Sequence, residues 1–128
     1  MTMPVERMRA LRWGHELLSA IQGDVTLPES VRARANGLSD HYPSARSLHD
    51  LLTVRARALP AAWADSIEAA GHLFEELQFS GAGTTETRRH LLYTRRHFPS
   101  RGAAQAVARP GQLGTLSDWI APEEGQSP

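Results

Sequence analysis

Thr87-Arg88-Arg89-His90-Leu91-Leu92-Tyr93-Thr94-Arg95-Arg96-His97-Phe98-Pro99-Ser100 repeats the frame of a stretch 56 residues upstream, running from Val31-Arg32 to His41-Tyr42-Pro43-Ser44. On the helical period, Val31, Ala35, Leu38 and Tyr42 share one stripe, and Thr87, Leu91, Thr94 and Phe98 share the same stripe in the second stretch. Both stretches close on His-x-Pro-Ser. The proline disfavours helix in the residue before it, and the serine can cap the next helix. Outward from there the register continues without a gap: Leu17-Leu18 matches Leu73-Phe74, Ile21-Gln22 matches Leu77-Gln78, and Arg32 matches Arg88. The pattern predicts an all-α fold, a six-helix bundle of two tandem three-helix units over residues 3–59 and 60–109. Each unit alone is too small to bury its own apolar faces.

The punctuation between the stripes supports this division. Thr2-Met3-Pro4-Val5-Glu6 reads as a helix start, with proline where a missing N–H does no harm and an acid in the first turn. That helix is expected to run to Gln22, the second from Pro28-Glu29 to near Tyr42, and the third from Ser44 or Ser47 through Leu59. After Pro60, Trp63, Ile67, Ala70, Phe74 and Leu77 make the cleanest amphipathic stripe, with Asp65, Glu68, Glu75 and Glu76 assigned to the solvent side. Thr84-Thr85-Glu86 opens the fifth helix, and Pro99-Ser100 a shorter sixth through about Val107. Residues 110–120 are expected to dock as a short turn through Leu113, Leu116, Trp119 and Ile120, completing a single helical domain over 1–120. Residues 121–128 read as a flexible acidic tail.

Composition narrows the function classes. Cysteine is absent, which excludes disulfides, thiol nucleophiles and thiolate metal sites. No run approaches the roughly 20 apolar residues of a membrane span, so no membrane role and a cytoplasmic location are expected. Net charge is zero, yet residues 60–83 carry four acids and no arginine, while residues 84–109 carry six arginines and one acid. Every basic residue is arginine, the side chain suited to bidentate contact with carboxylate or phosphate; codon bias explains the same usage.

The candidate binding residues follow from that asymmetry. Arg88-Arg89-His90 and Arg95-Arg96-His97 are one triplet repeated after seven residues, so two helical turns bring each arginine nearly over its match. Arg88, Arg89, Arg95, Arg96 and Arg101, with Tyr93 available to stack, form a candidate partner or nucleic-acid surface. On the opposing reading these arginines neutralise the acidic side of the preceding helix within the fold or across a dimer. Trp13, off the main stripe of the first helix, is a further candidate for a partner surface.

Catalytic and metal signatures fall short. His15-Glu16-Leu17-Leu18-Ser19 has serine where a zinc protease needs its second histidine. His72, Glu75 and Glu76 have a spacing that could hold a metal, but a solvated helix face accounts for them. Ser80-Gly81-Ala82-Gly83-Thr84-Thr85 lacks the lysine and spacing of a phosphate-binding loop. His41 and His97 close matching helices and are expected to meet the last carbonyls there. No catalytic residue, metal or cofactor is assigned.

Met1-Thr2-Met3-Pro4-x-Glu6-Arg7, followed by an arginine-bearing helix ending in His41-Tyr42-Pro43, resembles a group of small uncharacterised proteobacterial proteins that open with Met-Thr-Met-Pro-x-Glu-Arg. The resemblance covers about the first 50 residues and implies no activity. The expected function is that of a non-enzymatic helical protein–protein interaction, regulatory or inhibitor protein of bacterial or phage and mobile-element origin. Its partner would be another protein or a second copy of the chain. The alternative is a nucleic-acid binder using the arginine-rich fifth helix.

Overall fold

A computed structural model describes residues 2–109 and 116–123. Six α-helices follow in order: α1 (Pro4–Gly23), α2 (Glu29–Ser39), α3 (Ala45–Thr53), α4 (Ala61–Ser80), α5 (Thr85–Arg95) and α6 (Ala103–Ala106). A single 3-10 turn covers Leu116–Asp118, and no strand occurs among the described residues. No described helix is long and apolar enough to cross a membrane.

The starts obey local chemistry. Glu6 reaches back to accept the Met3 N–H at 2.8 Å, satisfying a donor that the first turn of α1 leaves open. Pro28 and Pro60 precede α2 and α4. The Ser44 hydroxyl accepts Ser47 N–H at 3.1 Å, and the Thr84 hydroxyl accepts Thr87 N–H at 3.2 Å, so α3 and α5 each have a side-chain cap.

The ends depart further from expectation. α2 stops at Ser39 instead of near Tyr42, and the His41 and Tyr42 N–H groups fold back onto the Leu38 carbonyl. α3 stops at Thr53, because Arg55 takes a left-handed φ of 55° that no helix continues through. Leu59 still reaches the core, with its N–H on the Val107 carbonyl at 3.0 Å. The sixth helix shrinks to one turn: Gly102 adopts φ 82°, which aims its N–H at the Glu68 carboxylate at 2.9 and 3.0 Å. Glu68, assigned from sequence to the solvent side of α4, therefore turns toward the protein.

α1 packs chiefly on α2 and α5, while α4 packs on α6, α2 and α5. Met8, Leu11, Leu17, Leu18 and Ile21 from α1 meet Ile67, Leu73, Phe74 and Leu77 from α4 in one buried cluster. Both organising stripes turn inward, with Ala35, Tyr42, Thr87, Leu91 and Thr94 buried and Val31, Leu38 and Phe98 partly so. Gly14 is the point of closest approach. The Tyr42 hydroxyl lies over it, donating to the Leu11 carbonyl at 2.7 Å, and the Phe98 ring edge crowds the same place, where a Cβ would sit. A hydrogen at Gly14 Cα is what lets two aromatic side chains reach the α1 backbone.

Leu116 and Ile120 are buried, and the Ala121 N–H reaches the Pro4 carbonyl. Leu113 lies outside the described residues, as do residues 124–128 of the expected tail. Glu123 is held: it accepts Arg12 Nε at 2.7 Å and Arg9 Nε at 3.1 Å.

Candidate functional site: the outer face of α5

Asp24, the residue after α1, positions the start of α5. Its carboxylate accepts Thr26 N–H and hydroxyl, Thr84 N–H at 3.0 Å and the Thr87 hydroxyl at 2.7 Å. These donors, the Thr26 hydroxyl foremost, hold the Asp24 carboxyl well below the usual carboxylate range. The positive end of α5 thus takes an internal carboxylate, in the place where the glycine-rich loop would have offered an anion seat.

With Thr87, Leu91 and Thr94 facing the core, the other side of α5 looks outward. The structure divides the predicted arginines into two sets. Arg88 is half-buried and donates to the Leu77 carbonyl at 2.6 Å, Gln78 at 3.1 Å and Ala82 at 3.2 Å, covering the open carbonyls at the end of α4. Arg95 bonds to the Gln78 side chain, and Arg101 stands 3.9 Å from Glu75. Arg89 and Arg96 form no ion pair among the described residues. The acids of α4 are mostly met elsewhere: Glu76 by Arg34, and Glu68 by His72 and Gly102.

Tyr93 and Trp13, distant in sequence, come together. Their rings meet edge to face with centroids 4.7 Å apart, and His90 stacks on Tyr93 at 4.9 Å. Burial raises the Tyr93 phenol and lowers the His90 imidazole from their ordinary values. Arg9 and Arg12 each lie 5.9 Å from the Trp13 centroid while they clasp Glu123. Hydrogen bonding between Arg12 and Glu123 raises the guanidinium and lowers the carboxyl. The aromatic pair is therefore braced from the α1 side. Beside it Leu92 stands 67 % exposed, a large apolar side chain with no cover.

Two shallow grooves flank this ridge. One, of about 560 Å³, runs past Asp24, Thr87, Arg89, His90 and Tyr93. The other, of about 600 Å³, is bounded by Gln78, Arg89, Leu92, Tyr93, Arg95 and Arg96. No family profile, curated protein or solved structure matches this chain.

Three features escaped sequence reasoning. Asp24 sits in a link that reads as a simple helix stop, and its partners lie 60 and 63 residues away. Sequence reasoning assigns Leu92 no role, although the helical period that puts Leu91 inside puts Leu92 outside. His97, assigned to helix-end carbonyls, instead meets Glu6 at 3.1 Å through Nε2 and the Thr2 hydroxyl at 3.2 Å through Nδ1. That trio ties the chain start to the end of α5. His72, the nominal metal residue, faces Glu68 at 3.6 Å, while Glu76 is engaged by Arg34.

Proposed function

We propose that this chain is a non-enzymatic helical module that binds a protein partner through the outer face of α5, with Trp13 of α1 as its brace. The observation that carries the reading is the pair Arg89 and Arg96, unpaired among the described residues, on either side of exposed Leu92 and Tyr93. Arginine and tyrosine beside tryptophan is the composition of interface hot spots. Tyr93, held between Trp13 and His90, would lose little rotamer freedom on binding, which favours affinity.

A photo-cross-linking residue at position 92 tests this, with position 54 as the control, since Val54 is 73 % exposed and follows α3. In host extract, position 92 should capture one discrete protein and position 54 none. Capture of nothing discrete at position 92 would defeat the reading.

Nucleic-acid binding is the second reading, favoured by the same two arginines beside Tyr93. It is weakened because Arg88 and Arg95 are engaged within the fold. With about two phosphate contacts, affinity for duplex DNA would fall with salt at a log-log slope near −2. Absence of binding at low salt would remove it.

We also infer that the two halves are copies of one three-helix unit, packed as a bundle. Supporting this, α1 and α4 each span 20 residues, α2 and α5 each span 11, and the matched residues Tyr42 and Phe98 both press on Gly14.

A further inference from the structure

Arg89, Leu92, Tyr93 and Arg96 stand at i, i+3, i+4 and i+7 of one helix, continuing one residue beyond the last turn of α5. They form one stripe, with the two guanidinium-bearing residues roughly 10 Å apart along the axis. Leu92 fills the interval, and the groove of about 600 Å³ runs alongside. We propose that this stripe seats an amphipathic acidic helix of a partner protein, one with carboxylates at i and i+7 and an apolar residue at i+3 or i+4. The proposal rests on the protein-binding reading above and specifies the chemistry of the partner.

The spacing suits a helix, because an element with the same period carries two charges and an intervening apolar contact along α5 in one register. The charge argues for carboxylates. Docking partly dehydrates both guanidinium groups at the rim of the contact, where an opposite charge offsets the lost hydration and a like charge repels. Two acids that could reach across the fold are committed, Glu123 to Arg9 and Arg12 and Glu76 to Arg34. A second copy docking by this same face is disfavoured by symmetry. In a twofold pairing centred on Leu92 and Tyr93, Arg89 of one copy would oppose Arg96 of the other, placing like charges together.

The test uses the full chain and a fluorescein-labelled alanine-based peptide of about 18 residues, long enough to hold a helix. One version carries Glu at i and i+7 with Leu at i+3 and i+4; the other carries Lys in place of both Glu. Fluorescence anisotropy should show the Glu peptide binding about tenfold tighter than the Lys peptide, the yield of two solvent-exposed ion pairs. The double variant Arg89→Glu/Arg96→Glu should reverse that preference, and Leu92→Asp should weaken the Glu peptide about tenfold. Equal binding of both peptides, no saturable binding of the Glu peptide, or an unchanged preference in the double variant would each overturn the proposal. Tighter binding of single-stranded DNA than of the Glu peptide, lost in the double variant, would also overturn it. Discrete capture at position 92 with no binding of the Glu peptide would reject the acidic helix and leave the protein-binding reading standing. Failure of both assays would reject both.

Discussion

The Thr87 hydroxyl donates to Asp24 Oδ2 at 2.7 Å, and this bond closes the end of α1 onto the first turn of α5. The same carboxylate receives Thr84 N–H, so one side chain sets both the height and the direction of α5. The exposed stripe of Arg89, Leu92, Tyr93 and Arg96 inherits its orientation from that junction.

Asp24→Ala should lower stability by about 3 kcal/mol, the scale for losing hydrogen bonds to a charged, buried group. The pH dependence follows from its depressed carboxyl. An unfolded aspartate takes up its proton near pH 4, while native Asp24 stays ionised lower still. Its stabilisation is therefore complete above about pH 5 and lost as pH falls below that. Urea denaturation of wild type and Asp24→Asn at several pH values should show a gap that is constant near neutrality and narrows in acid.

Gly14→Ala should be among the most damaging single-methyl additions in the chain. Its Cβ would overlap the Tyr42 hydroxyl and come within 2.8 Å of the Phe98 ring, displacing two aromatic groups and the Tyr42 bond to Leu11. A loss of about 3 kcal/mol is expected. Gly37→Ala is the control: nothing lies within 4 Å of a Cβ there, and a helix interior favours alanine by about 0.5–1 kcal/mol. Thermal melts should move in opposite directions for the two variants.

The two sets of arginines should separate in one experiment. Arg88→Ala should cost about 2 kcal/mol, because the carbonyls of Leu77, Gln78 and Ala82 lose their donor. Arg89→Glu/Arg96→Glu should leave the melting midpoint within about 2 °C of wild type, since surface changes of this kind stay near ±0.5 kcal/mol. A large drop for the double variant would place these arginines in the folding network.

Thr94→Val should stabilise the protein by about 1 kcal/mol. The Thr94 hydroxyl is fully buried with no hydrogen-bond partner among the described residues, and valine fills the same space without an unsatisfied polar atom. Chemical denaturation should show a higher midpoint with the same slope.

The inward stripes were legible because the helical period forces residues three and four apart onto one face, and Ala35, Tyr42, Leu91 and Thr94 are buried accordingly. Helix starts were legible for an equally local reason: Ser44 and Thr84 cap donors only three residues away. The start of α6 and the end of α3 were less so. α3 stops before Ala58 and Leu59, and α6 keeps only four residues, because Arg55 and Gly102 take left-handed conformations that apolar spacing does not reveal.

Periodicity and capping by themselves determined that the chain is helical, where the first five helices begin and which side of α5 is apolar, because these depend on residues within a turn of one another. The tertiary structure alone decided which arginines are committed and which face outward. Arg88 is spent on carbonyls that end α4, Glu123 crosses 111 residues to Arg12, and Trp13 crosses from α1 to brace Tyr93. Those pairings arise from α5 packing between α4 and α1 and from Glu123 lying on α1, a geometry that helical spacing does not encode. The outward face of Arg89, Leu92, Tyr93 and Arg96 is what that packing leaves over.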